Sequence, residues 1–186
     1  MIVLSLVSGE GALPLKLGAT RDELVATMVT YGEKPSSEVD HNAILHAALV
    51  ATLGEEGAKE HLPDTPQGSS DTLYFVENAI EIAFGADDRA SFIGISQHPN
   101  VALQLDGTDL MPLPARQVFD ILAAREEAAP PYSTEEVMFQ SQIITLWNAG
   151  PQYNRTDPRV AVWGQIGVAT HNTSRGASVP RDRAKS

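Results

Sequence analysis

From Ala79 the chain reads Ala79-Ile80-Glu81-Ile82-Ala83-Phe84, then Gly85-Ala86-Asp87-Asp88-Arg89, then Ala90-Ser91-Phe92-Ile93-Gly94-Ile95-Ser96. After Gln97-His98-Pro99-Asn100 it continues as Val101-Ala102-Leu103-Gln104-Leu105. Apolar and other residues alternate with a period of two, and turn formers bound each run. The pattern predicts strands at Ala79–Phe84, Ala90–Ser96 and Val101–Leu105, with a hairpin loop at Gly85–Asp88 and a turn at 97–100. Leu73–Val76 predicts a strand in front of them, with Glu77-Asn78 as a bulge or turn. Together these segments read as an antiparallel meander.

Outward from this block the period changes. In Leu17-Gly18-Ala19-Thr20-Arg21-Asp22-Glu23-Leu24, Thr20 and Glu23 have capping-box spacing, and Asp22 and Glu23 put negative charge at a helix start. Leu24, Val25, Met28 and Val29 form a helical stripe, and Gly32 supplies a left-handed stop, so a helix is expected over Thr20–Tyr31. Met1–Val7 is expected as a buried strand. Asp40 to Leu53, with Ile44, Leu45, Ala48 and Leu49, predicts a second helix, and Glu55–Ser70 a long polar loop. Downstream, Asp106–Asp109 predicts a turn. Pro114 sits at a helix start whose buried face is Val118, Ile121 and Leu122, ending near Glu127. Ser133-Thr134-Glu135-Glu136 is expected to cap a short helix. Ile143–Trp147 and Arg159–Thr170 read as strands around a turn-rich stretch, Asn148–Pro158. The class is α+β, with helices packed on one face of an antiparallel sheet. The order of elements suggests two related halves, near 1–110 and 111–171, without a supporting repeat.

The chain has 186 residues, 13 Lys+Arg against 24 Asp+Glu, and a net charge of −11. One domain of this size buries roughly 70% of its unfolded surface and needs no staples. Residues 172–186 hold Arg175, Arg181, Arg183 and Lys185 against Asp182, a charge of +3, and too little apolar content to repay ordering. They are expected to be a disordered basic tail behind a single domain, 1–171, which carries nine basic and 23 acidic residues, or −14. The absence of Cys excludes disulfides, thiol nucleophiles and Cys-ligated metal. Such acidity argues against nucleic acid as a partner and suits a basic protein partner. No apolar run approaches the ~20 residues that span a bilayer, and no basic residue precedes Met1–Val7 as in a signal peptide. A cytoplasmic protein with no membrane contact is expected.

Chemical motifs are sparse. His41 and His46 are five apart, off the three- or four-residue spacing of helical metal pairs. His41, His61 and Asp64 are the metal candidates, with solvated surface side chains as the plainer reading. No G-x-S-x-G elbow occurs. The pairs Glu55-Glu56, Asp87-Asp88, Glu126-Glu127 and Glu135-Glu136 fall in expected loops or helix ends, where solvated charge is the ordinary state. Gly164-Gln165-Ile166-Gly167 lies in an expected strand and marks a bulge or close packing. Trp147 and Trp163 fall on the last two strands, where they are expected to face each other. Both default to core, and either would be an interface anchor if exposed beside Tyr153. The connection Asn148–Pro158, with Tyr153, Asn154 and Arg155, is the preferred recognition loop.

The stretch Leu17–Leu24, closing at Gly32, resembles the LG-M-T-R-x-E-V…LG helix of SmpA/OmlA-like and beta-lactamase-inhibitor-like domains. The run Ala79–Phe84, an Asp-Asp-Arg turn, Phe92–Ile95 and then Leu105-Asp106-Gly107-Thr108-Asp109-Leu110 resembles small bacterial immunity-type proteins associated with polymorphic toxins. The resemblance implies a helical pair on an antiparallel sheet, and binding rather than catalysis. The missing lipoprotein cysteine separates the chain from envelope-assembly proteins. The expectation is a non-enzymatic binding domain of immunity or inhibitor type, without cofactor, using an acidic surface against a basic protein. Its partner-binding residues are Trp147, Tyr153, Arg155, Trp163, Asp87, Asp88, Glu55 and Glu56. The alternatives are a small metal-dependent hydrolase built on histidines and carboxylates, and an oligomerising structural subunit.

Overall fold

In the first strand, β1 (Ile2–Val7), alternation sends Ile2, Leu4 and Leu6 inward and leaves Val3 and Ser5 outside. The computed structural model describes residues 1–36 and 72–170, so the expected helix Asp40–Leu53, the loop Glu55–Ser70 and the tail 172–186 lie outside the described residues. After β1 come β2 (Gly11–Leu13), β3 (Leu15–Lys16) and α1 (Arg21–Val29). The capping box is formed: Thr20 N–H donates to Glu23 Oε2 at 2.8 Å, and Glu23 N–H donates to Thr20 Oγ1 at 3.4 Å. Gly32, at φ +79, follows the last turn. Leu24 and Met28 are the buried side of α1, whereas Val29 is 54% exposed.

Next come β4 (Thr72–Phe75), β5 (Ile80–Phe84), β6 (Ala90–Ser96), β7 (Val101–Leu105) and β8 (Thr108–Asp109). The β4–β5 turn places Val76, Glu77 and Asn78 in succession in the left-handed region, at φ 52, 53 and 67. Helix α2 (Ala115–Ala123) starts on Pro114 and stops four residues short of the expected end. Strands β9 (Glu136–Phe139), β10 (Ile144–Gly150) and β11 (Val162–Ala169) complete the order, with a 3-10 turn at Pro151–Tyr153.

The described residues form two sheets rather than the single sheet expected. One has the order β4-β5-β6-β11-β10-β9 and is antiparallel throughout; the other runs β3-β2-β1-β7-β8. β7 therefore leaves the meander and pairs in parallel with β1, Ile2 beside Val101 and Leu4 beside Leu103. That register puts two fully buried leucines side by side, which one further antiparallel strand on β6 would not do. Side chains from both sheets and both helices belong to one contiguous core.

Ser133–Glu136 caps no helix. Ser133 Oγ accepts from Glu135 N–H at 3.1 Å, a local turn, and Glu136 begins β9. The S-x-x-E spacing imitates a helix start, but the next residues alternate, with Val137 and Phe139 in the core.

Candidate functional site

Strand β10 carries both features expected of a binding surface. Trp147 sits on it, and the loop 151–161 follows it. On the six-stranded sheet, Ile82, Ile93, Val168, Ile144 and Phe139 align on the core face. Alternation sends Trp147, and its neighbours Gln165 and Glu136, to the other face. There Phe92 meets the Trp147 indole edge-to-face, with ring centres 5.6 Å apart. Both rings lie against Gly167, where a Cβ would come within 2.7 Å of Trp147 Cζ3. The close packing expected of Gly164–Gly167 is therefore real: a bare backbone lets two aromatic rings settle onto the sheet. Trp147 Nε1–H donates to Glu136 Oε1 at 3.1 Å, so the half-exposed indole is fixed in orientation. Glu135 and Glu136 are exposed, and the Glu135 side chain makes no hydrogen bond or ion pair among the described residues. The same face buries Glu81, whose carboxylate accepts from Gln165 Nε2 at 3.0 Å.

Trp163 is a different case. It pairs with Ala149, not Trp147, is 1% exposed, and donates its indole N–H to the Ala115 carbonyl at 2.8 Å. Asn148, at φ 54, lies between Trp147 and Ala149, and Ala149 packs against the core that contains Trp163. Trp163 thus holds α2 to β11 and offers no surface.

The loop is organised around Asn154. Its Oδ1 accepts from Thr156 N–H, Thr156 Oγ1 and Asp157 N–H at 2.9–3.0 Å, and its Nδ2 donates to the Val160 carbonyl. Tyr153 is half-buried with its ring on Gly164. Arg159 grips Asp157 through Nε and Nη2, at 2.9 and 3.0 Å. That pairing holds the Asp157 carboxyl below its ordinary pKa and raises the Arg159 guanidinium. Arg155 is exposed and makes no ion pair among the described residues.

The other expected site residues separate. Asp88 pairs with Arg21 of α1 at 3.5 Å, and Asp87 Oδ1 accepts from Arg89 N–H at 3.3 Å, so one ties the hairpin to the helix and the other braces the hairpin turn. Glu55, Glu56, His41, His61 and Asp64 lie outside the described residues. Among the described residues no three His, Asp or Glu converge on a point where a metal would sit. His98 Nδ1 accepts from Asn100 N–H, while Nε2 lies 3.6 Å from Glu77. Two more carboxylates have lowered pKa values. Hydrogen bonds from Thr20 hold Glu23 down. At Glu126 burial opposes the charge, but bonds from Gln142 and Ser141 outweigh it. Glu23 thus completes the α1 cap, and Glu126 ties the end of α2 to the β9–β10 turn. An open cleft of about 610 Å³ lies beside α1, with Lys16, Arg89 and Glu23 at its rim and Leu17 and Leu24 in its lining.

Reasoning from sequence missed Glu136 and Phe92 as parts of this surface. Phe92 was visible as the residue out of phase with Ile93 and Ile95; Glu136 was hidden by the false helix cap. Comparison with family models, with curated proteins and with solved structures yields no match.

Proposed function

We propose that this chain is a protein-binding domain of the immunity or inhibitor type, recognising a basic protein through the exposed end of β10. The observation that carries this reading is Trp147, held by Phe92, Gly167 and Glu136 yet half-exposed beside the carboxylates of Glu135 and Glu136. A fixed aromatic ring flanked by carboxylates suits a Lys or Arg side chain, which gains from both the ring face and the charge. Because the indole is already oriented, little side-chain entropy is lost on binding. The loop 151–161 extends the surface, its backbone braced by Asn154 and its tip bearing Arg155. Of the −14 carried by 1–171, the described residues hold eight basic and 16 acidic side chains, or −8. Much of that charge is committed locally, as in Asp88–Arg21, Asp106–Arg125, Asp120–Arg116 and Asp157–Arg159. Glu135 and Glu136 therefore matter more than the total suggests.

The test is binding of the product of the adjacent gene to the immobilised chain. Trp147→Ala is expected to weaken the complex by about 30-fold, as for an aromatic hot spot. Glu135→Lys with Glu136→Lys should slow association and flatten its salt dependence. Equal binding by all variants would overturn the reading.

A further inference from the structure

Sheet edges present main-chain N–H and C=O groups that template pairing with another strand, and folded proteins usually blunt them. Among the described residues the two sheets have four edges, and three of them are blunted. β3 and β8, which end the five-stranded sheet, are two residues each. At β4, Ser36 N–H donates to the Tyr74 carbonyl at 2.7 Å. The fourth edge is β9, Glu136-Val137-Met138-Phe139, four residues long and free of Lys and Pro.

Two hydrogen bonds set the direction of its main chain. Ala169 N–H donates to the Ile143 carbonyl at 3.1 Å, and Asn148 N–H donates to the Glu135 carbonyl at 2.7 Å. Groups alternate along an antiparallel ladder. Ile144, Leu146 and Asn148 therefore turn toward β9, and Val137 and Phe139 turn toward β10 in register with them. The N–H and C=O of Glu136 and Met138 then point away from the sheet, and no described residue bonds to them.

We propose that β9 accepts an extended segment of the basic partner as an added antiparallel strand. This rests on the binding role argued above and specifies how the partner docks. Residues opposite Glu136 and Met138 would exchange main-chain hydrogen bonds with them and project onto the same face as Trp147. A Lys or Arg opposite Glu136 would meet that carboxylate, with the Trp147 indole one strand away. The charge of Glu135 and Glu136 is what favours a cationic segment over a neutral one.

The probe is a fluorescein-labelled heptapeptide, Thr-Lys-Val-Lys-Val-Lys-Thr, titrated in low salt. Binding should slow hydrogen exchange at the Glu136 and Met138 amides, and Met138→Pro should weaken it about tenfold while the thermal midpoint holds. Because lysines lie opposite Glu136 and Met138, N-methylation of the lysines should abolish binding and N-methylation of the valines should spare it. Equal loss from both peptides, no binding, or unprotected Glu136 and Met138 amides would overturn strand addition. Protection that rises with chain concentration without peptide would also overturn it, assigning the edge to a second copy. If Trp147→Ala releases the partner protein while Met138→Pro retains it, the binding role stands and this mode of docking falls.

Discussion

Gly167 is small because two rings occupy the space where its side chain would be. A methyl group there meets Trp147 and Phe92 together, and neither ring can withdraw without leaving the other. Gly167→Ala is expected to destabilise the fold by about 1–3 kcal/mol, the range for forced overpacking. Urea denaturation would measure it. Tryptophan emission should also shift, since Trp147 moves while Trp163 stays buried. Thr20→Ala removes the side-chain half of the α1 cap, and the thermal midpoint is expected to fall by about 2–4 °C. Single-residue rules served well where the partner is close in sequence, as in Thr20 with Glu23. Trp163 is core, as its default placement has it, but it does not face Trp147, and its hydrogen-bond partner, the Ala115 carbonyl, is 48 positions away and beyond the reach of such rules.

Among elements, legibility followed length and pairing range. β6 was predicted with its observed bounds because seven alternating residues between turn formers leave no competing period. β2 and β3 were not foreseen, as five strand residues broken by Pro14 carry too little pattern. β7 was found, but its partner was not: parallel pairing with β1 depends on the assembled core. β9 was misread because a capping-box spacing and an edge strand start with the same residues. The connection Asn148–Pro158 is legible as turn-rich, but its first three residues belong to β10 and the loop runs over 151–161, where the bracing by Asn154 leaves no sequence signal. Asn154→Ala is expected to release the Thr156 and Asp157 amides, raising their hydrogen exchange by about tenfold or more, with little change at β10 and β11. Exchange measured by NMR would decide it, and unchanged rates would mean the loop is braced elsewhere.

For the whole molecule, charge and stability meet at low pH. Glu126 titrates below its ordinary value of 4.5 in the folded state, and Glu23 and Asp157 are lowered as well. A carboxyl lowered by folding adds stability above its unfolded pKa and loses it as pH falls through the folded one. Unfolding free energy is therefore expected to be level near neutrality and to decline below about pH 4.5. At about 0.15 M salt, screening limits the opposing relief of negative self-repulsion. Glu126→Gln should flatten the decline, as urea midpoints across pH would show. An unchanged profile would place the acid sensitivity elsewhere.

The parallel pair of β1 and β7 also sets an order of events during synthesis. Ile2–Val7 leaves the ribosome with its apolar side formed and its β7 partner, Val101–Leu105, not yet made. At 5–20 residues per second, the delay is about 5–20 s. Among the described residues, β1's only ladder partner for that interval is β2, itself paired to the two-residue β3, a ribbon too small to cover Leu4 and Leu6. The core's first strand is thus a nascent-chain liability, closed only once Val101–Leu105 has been made.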